Sequence, residues 1–464
     1  MSTPSPLAQP SPAPLPPAPP SRLRWGLAIV AAAVGAGASV AGFADPAAAW
    51  AGALCSVVLA LWLAEVVPPF VPTLLLLVAV PLALPAFSTR DVLGWVADPV
   101  LALFFGGFVL GEAARVHGID RKLAAAAVRH THGHPRRLVA AIALTTAFLS
   151  MWMSNIAAAA LMVACVRPLC PGDDRLRRAV LVAVALGANL GGMATPIGSG
   201  PNAIAIAALA EPISFVAWMA FAVPLVVLAL GVAVGLLYVL HRVGGKGTSG
   251  VAPDAPVVTP ETLATTTEPP PRPVLISIVA LVAIGAWLTE PLHGVDAPTV
   301  SLALAAVLFG TGLVPAARLR DVDWSTLLLI AGGIALGRLV EATGLLTPVA
   351  AGLASVGGPP GLRLLALLTA AATLSAVMSN TGTAALLVPL AMAVLPDVPS
   401  APILVALAAS FGMPFVVSTP PNAMAVGAGA RAGDIAVPGL VLLVGGCLVL
   451  AGTGPWVLGM FGFR

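Results

Sequence analysis

Two short runs in this 464-residue sequence place hydroxyl and amide oxygens at matching intervals. The first is Ser150-x-x-Met153-Ser154-Asn155, leading into Ala159-Ala160-Leu161-x-Val163. The second is Ser375-x-x-Met378-Ser379-Asn380, leading into Ala384-Ala385-Leu386-x-Val388. Each breaks an apolar stretch, 138–168 or 363–395, near its middle. Two more polar breaks, Gly198-Ser199-Gly200-Pro201-Asn202 and Ser418-Thr419-Pro420-Pro421-Asn422, fall inside other apolar runs. Unwound chain frees carbonyl oxygens, which with Ser, Thr and Asn oxygens suit a small hard cation such as Na⁺. Half-helix N-termini aim free N–H groups and the positive dipole end at an anion. No HExxH, GxSxG or paired carboxylates accompany these runs. No catalytic residue is therefore expected, and no cofactor or metal besides sodium. The chemistry is binding.

The elements that must position these groups are membrane spans. The chain is 59% hydrophobic and 9% charged, where soluble domains are about half apolar and a quarter charged. A helix crosses the hydrocarbon core with roughly 20 apolar residues. Such runs lie near 25–44, 50–67, 70–86, 98–116, 179–211, 213–240, 273–290, 297–315, 324–343, 403–431 and 437–460. The fold class expected is an all-α polytopic membrane protein of about eleven such helices, with 138–168 and 363–395 as re-entrant hairpins. Residues 1–24 are Pro/Ser-rich and read as a disordered cytoplasmic tail. Arg22 and Arg24 before the run 25–44 resemble a signal peptide, but the run nearly spans and many spans follow, so an uncleaved first helix (25–49) is expected.

The basic residues test this topology. With the N-terminus inside and both odd stretches as hairpins, eighteen of the 22 Lys/Arg are cytoplasmic. Arg90, Arg363 and Arg464 lie outside, and Arg338 lies within a span. The positive-inside rule demands such a bias; counting either hairpin as one crossing destroys it. The C-terminus is then outside, in a multi-pass protein of the cell's inner (plasma) membrane.

Three ordered blocks recur. Leu103-x-x-Gly106-Gly107-x-x-Leu110-Gly111 returns as Leu329-x-x-Gly332-Gly333-x-x-Leu336-Gly337, the Ser-Asn runs match, and Gly192-Met193 with Pro201-Asn202-Ala203 returns as Gly412-Met413 with Pro421-Asn422-Ala423. The offsets are 226, 225 and 220. The chain therefore divides into repeat 1 (50–242), a cytoplasmic linker (243–272) and repeat 2 (273–464). Each repeat has five spans and one hairpin, and an odd number of crossings inverts the second copy. Inverted repeats bind substrate and ions near the midplane on broken helices.

At these residues the chain resembles the divalent anion:sodium symporter family of the wider citrate-transporter-like superfamily. The resemblance spans about 50–464 and rests on Ser154-Asn155, Ser379-Asn380-Thr381, Thr419-Pro420-Pro421-Asn422 and the Trp324…Gly332-Gly333 region. It implies sodium-coupled symport of a divalent anion, a C4-dicarboxylate first among them (succinate, malate or fumarate). It also implies an elevator mechanism and a homodimer in the lipid bilayer; no nucleic-acid partner is expected. Carried over by motif, one sodium site uses Ser150, Ser154, Asn155 and the backbone at Gly198. The other uses Ser375, Ser379, Asn380 and the backbone at Ser418. Substrate meets Asn155, Ile156, Ser199, Pro201 and Asn202 from one half, and Asn380, Thr381, Thr419, Pro420 and Asn422 from the other. The first half departs from the family pattern: Ile156 replaces a Thr, and Gly200 replaces a Pro.

Other features carry less. Glu112 and Arg338 occupy equivalent positions in apolar spans, and intramembrane charges are functional candidates unless they sit at a helix end or an interface. His130, His132 and His134 lie in a basic loop with no acidic or Cys partner. Cys55, Cys165, Cys170 and Cys447 read as packing residues. Sulfate or citrate carriage, anion exchange and proton coupling fit the same fold; an intramembrane enzyme would need a nucleophile and base that the sequence lacks.

Overall fold

The computed structural model describes residues 21–166, 169–170, 173–244, 272–348 and 359–463, and its regular elements are helical. The expected tail, except for 21–24, and the linker, except for 243–244 and 272, lie outside the described residues. The first half contains α1 (Arg22–Gly42), α2 (Pro46–Ala64), α3 (Val71–Ala83), α4 (Thr89–Trp95), α5 (Pro99–Val116) and α6 (Ile119–Arg129). It continues with α7 (Pro135–Ser150), α8 (Asn155–Val166), α9 (Asp174–Gly191), α10 (Gly200–Ala208) and α11 (Phe215–Leu240). The second half has α12 (Pro273–Leu288), α13 (Glu290–His293), α14 (Ala297–Gly310), α15 (Trp324–Ala342), α16 (Pro360–Ser375), α17 (Asn380–Val394), α18 (Ala401–Ser410), α19 (Pro420–Gly427) and α20 (Ala432–Gly459).

Local chemistry sets the long-helix starts. Asp45 accepts hydrogen bonds from the Ala47 and Ala48 amides and Asp98 from Val100, each followed by a proline that needs no partner in the first turn. Ser214 and Asp323 cap α11 and α15 likewise. These caps satisfy amides that a helix leaves open. Among the described residues six helices, α1, α2, α5, α11, α15 and α20, are long and apolar enough to cross a membrane. Short α4 and α6 were not anticipated, because neither is apolar throughout.

The expected interruptions are real. Chain 138–166 folds as α7 and α8 around a tip at 151–154, and 363–395 as α16 and α17 around 376–379; 167–168 of the first stretch lie outside the described residues. Each half also has one broken helix: α9 stops at Gly191 and resumes as α10, and α18 stops at Ser410 and resumes as α19. The halves interlock reciprocally. Helix α10 packs on α17 and α18 of the second half, and α19 packs on α8 and α9 of the first. Likewise α5 packs on α14, and α15 on α3. Such exchange is what a pseudo-twofold relation between halves produces. The larger apolar core joins the hairpins, broken helices, α11 and α20. A second core is formed by α5, α12, α14 and part of α15, with Ile197, Ala203 and Phe215 packed into it.

Candidate ion and anion site

Both hairpin tips present the same atoms. Ser150 Oγ lies 2.7 Å from Asn155 Oδ1, and Ser375 Oγ lies 2.7 Å from Asn380 Oδ1. Both serines are buried. Ser154 Oγ accepts from the Ala157 amide at 3.2 Å and Ser379 Oγ from the Gly382 amide at 3.1 Å, starting the returning arm. Each tip therefore carries one serine as a helix cap and another pointed at the asparagine.

The surroundings of Asn155 are rich in oxygen. Ser150 Oγ also reaches the Ala188 carbonyl at 2.7 Å. The Asn155 head-group atom facing Ser150 lies 3.2 Å from the Gly198 carbonyl and 3.3 Å from that of Ala188. An amide oxygen there meets only oxygens. Two chemistries satisfy the cluster: the amide turns its nitrogen inward and donates, or a cation sits among the oxygens. Carboxamide, hydroxyl and carbonyl oxygens are the donor set of a hard cation.

The broken helices are clamped to the tips. Thr195 donates to the Met151 carbonyl at 2.6 Å, and Ser418 donates to the Ala376 carbonyl at 2.7 Å while accepting from the Phe415 amide. Met151 and Ala376 are equivalent tip positions. Asn202 Nδ2 donates to the carbonyls of Gly192 and Thr195 at 2.9 and 2.8 Å, and Asn422 Nδ2 to those of Met413 and Phe415 at 3.0 and 2.8 Å. Each of these buried amides closes an unwound loop that would otherwise leave carbonyls unpaired. So Asn202 and Asn422, expected against substrate, have their nitrogens engaged in holding the break open. Asn189 Nδ2 donates to Asn422 Oδ1 at 3.0 Å and ties the halves together. Sequence reasoning missed Thr195 and Asn189. Their signal was available, since both are polar residues within apolar runs.

At the heads of α10 and α19, Ser199 and Thr419 have extended backbones, with φ of −153° and −145°. Their hydroxyls are buried and have no partner among the described residues. Unpaired buried hydroxyls beside two helix N-termini are donors waiting for an acceptor. Thr381 reaches the start of α10: a methyl added at Gly200 would collide with its Oγ1 and lie 2.8 Å from its Cγ2. Ile156 is 43% exposed. Pro201 and Pro420 lie in the first turns of their half-helices.

Tip 1 is docked by aromatics. Trp152 stacks with Phe215 and Trp287, with centroids 6.3 and 6.2 Å away and rings within 9° of parallel. Its counterpart, Val377, is 57% exposed. A cavity of about 460 Å³, lined by Ile204, Gly337, Arg338, Val388, Pro389 and Met392 among others, lies between α15, α10 and α17, away from the tips.

The charges flagged in the spans form ion pairs. Glu112, near the end of α5, is buried and accepts from Arg115 at 2.8 and 2.7 Å, with Arg318 at 3.6 Å. Arg338 pairs with Glu341 at 3.5 Å, and both are largely exposed. The His130 ring approaches the Ala126 carbonyl at 2.7 Å, closing its own helix end.

Comparison with known proteins adds an independent line. A sequence profile of the Citrate transporter family matches residues 59–410. An uncharacterized transporter of Haemophilus influenzae is 30% identical over 410 residues, covering 81% of this chain and 84% of that one. The inorganic phosphate transporter PHO87 of Saccharomyces cerevisiae is 29% identical over 357 residues, 74% of this chain but only 37% of the longer yeast protein. A sodium-dependent dicarboxylate transporter, SdcS, of Staphylococcus saprophyticus is 25% identical over 410 residues, covering 79% and 78%. Among solved structures, the YdaH transporter of Alcanivorax borkumensis shares the fold, with a TM-score of 0.57 at 16% identity over 84% of this chain and 99% of that one.

Proposed function

This chain belongs to the citrate transporter family, and on that premise we propose that it is a sodium-coupled symporter of a small oxyanion. It is a multi-pass membrane transporter, as family and relatives agree. The observation that carries sodium coupling is the oxygen cluster at the first tip, Ser150–Asn155 with the Ala188 and Gly198 carbonyls; the second tip repeats the serine–asparagine contact in Ser375–Asn380. Anion binding is supported by the unpaired hydroxyls of Ser199 and Thr419 at two half-helix N-termini. A dicarboxylate is the cargo that the SdcS relative supports, and phosphate the one that PHO87 supports.

In this mechanism one helical body, formed of the hairpins and broken helices, slides past the scaffold of α5, α12, α14 and α15. Sodium among the tip oxygens fixes Asn155 and Asn380 in orientation, which sets their amide nitrogens toward the anion. Binding of each ion then favours binding of the other, as linkage requires. The basic-residue bias supports a cytoplasmic N-terminus and an external C-terminus in the plasma membrane. The homodimer remains part of the proposal through the family resemblance.

The test is uptake of labelled anions into proteoliposomes under a Na⁺ gradient, compared with K⁺ or choline. Uptake should require Na⁺, and Asn155→Ala or Asn380→Ala should reduce it to background while the protein stays folded in the bilayer. Equal uptake in choline would remove sodium coupling; full rates in both variants would move the site elsewhere.

A further inference from the structure

The halves agree on the groups that would hold a cation and differ where the anion should lie, and the differences are paired in space. Thr381 follows Asn380, whereas Ile156 follows Asn155. Gly200 opens α10, whereas Pro420 opens α19. Thr381 occupies the space that the missing side chain of Gly200 leaves, so a proline ring at 200 would displace it. Because α10 packs on α17 and α19 on α8, the symmetry-related arrangement brings the Ile156 arm to the head of α19.

The donors at the two poles are unequal. The first pole has the Thr381 hydroxyl, the unpartnered Ser199 hydroxyl and the N–H of Gly200 at the opening of α10. The second has the unpartnered Thr419 hydroxyl, the half-exposed hydrocarbon of Ile156, and Pro420, which has no N–H, in place of Gly200; the next residue is proline at both poles. Two residues further along the arms the contrast repeats. Thr383 is buried with an unpartnered hydroxyl, and its mate is Ala158. A carboxylate leaving water needs several donors in exchange, because burying an ionised group without them is costly. The first pole supplies two donors, the Thr381 hydroxyl and the Gly200 N–H, where the second has only Ile156 and Pro420.

We propose, resting on the anion-carrier reading above, that the site takes an anion whose charge sits on one oxyanion head, held by Thr381, Ser199 and the head of α10. Anions with carboxylates at both ends are rejected at the Ile156–Pro420 pole. Inorganic phosphate, sulfate and short monocarboxylates share the accepted chemistry; succinate, malate and citrate do not.

The experiment loads purified full-length protein into proteoliposomes with a Na⁺ gradient and follows labelled phosphate, sulfate, pyruvate, succinate and citrate in separate arms. At least one single-headed anion should accumulate about tenfold above protein-free liposomes, with succinate and citrate at background. Ile156→Thr should raise succinate uptake about tenfold, the scale of one hydrogen bond to a charged oxygen. Thr381→Val should lower uptake of the single-headed anion by a similar factor, while Thr381→Ser should retain it, which separates a lost hydroxyl from a folding defect. Wild-type uptake of succinate or citrate equal to the best single-headed anion overturns the inference and leaves the carrier reading standing. An Ile156→Thr protein that still excludes succinate also overturns it. Absence of Na⁺-driven uptake for every anion overturns the carrier reading, and this inference with it.

Discussion

Gly111 on α5 and Gly337 on α15 are equivalent positions on the two scaffold helices, yet they meet different parts of their hairpins. A methyl group at Gly111 would lie 3.0 Å from Met153 Cβ and 3.3 Å from the Trp152 carbonyl, at the tip of the first hairpin. One at Gly337 would lie 3.4 Å from Pro389 Cγ, far along the returning arm of the second. The mate of Met153 is Met378, so the second contact is displaced eleven residues from the tip, about 16 Å at 1.5 Å per helical residue. Helix α15 packs along α17, while among the described residues α5 has no comparable contact with α8. A body free to slide and resting toward one membrane face would leave this signature, because equal halves would otherwise make equal contacts. On the proposed topology the end of α5 lies at the cytoplasmic side, so a first tip held there by Gly111 would mark an inward state. Exchanging the two contacts describes the opposite state.

Cross-linking the two contacts in turn separates the states. With the four native cysteines replaced, Gly337→Cys with Pro389→Cys should cross-link readily and stop transport, with recovery on reduction. Gly337→Cys with Met378→Cys should cross-link only as the body moves outward, and should also stop transport. If the second pair never forms in a protein that still transports, the sliding interpretation fails.

The docked tip gives a smaller effect. Trp152 stacks on Phe215 and Trp287, whereas Val377 has no such partner. Aromatic pairs contribute about 0.5–1.5 kcal/mol each beyond burial. Trp152→Ala should therefore shift the population away from the present state by about tenfold, measurable by distance distributions between spin labels on the two bodies. Val377→Ala should leave them unchanged. Equal shifts in both variants would mean that the stack does not hold the state.

How much of this was legible depends on the kind of signal. The paired Ser-Asn runs and broken helices were visible because polar groups in apolar runs stand out against hydrocarbon, and because the repeat presents them twice. The stack was not visible, since nothing in local spacing links Trp152 to Phe215 or Trp287. The link between Thr381 and Gly200 was likewise hidden; the sequence marks two separate departures, and only the crossing of α10 over α17 makes them one feature. The ion pairs fall between these cases. Glu112 and Arg338 were flagged as mates, but Arg115 and Glu341 are also mates under the same offset of 226. The two pairs are one motif with its charges exchanged, and the signal was present.

That motif supplies a third contrast. Glu112 is 7% exposed and doubly hydrogen-bonded, while Arg338 is 47% exposed in a single 3.5 Å contact. Hydrogen bonds to charged groups contribute about 1.5–3 kcal/mol, and exposed ion pairs about 1 kcal/mol or less. Glu112→Gln should lower the melting temperature in detergent by several degrees, and Arg338→Gln by little. Equal losses would show that the inner pair is no better buried in solution than the outer.

The smallest effect is expected just past α5, where the first half buries Asp120 and the second has Leu346 at the equivalent position. Burial pushes the Asp120 carboxyl up from 3.8 to about 6, against the lowering effect of its hydrogen bond from the Arg121 amide and of nearby Arg121 and Arg115. The folded protein therefore binds this proton more tightly than the unfolded chain does, so protonation favours folding. The stabilisation is complete below the unfolded value near 3.8 and is lost as pH rises through about 6. Asp120→Asn removes the buried charge and should raise the melting temperature at pH 7.5 while leaving it unchanged near pH 4. A variant no more stable than wild type at pH 7.5 would show that Asp120 ionises without cost, its hydrogen bond to Arg121 and the flanking arginines having offset the burial.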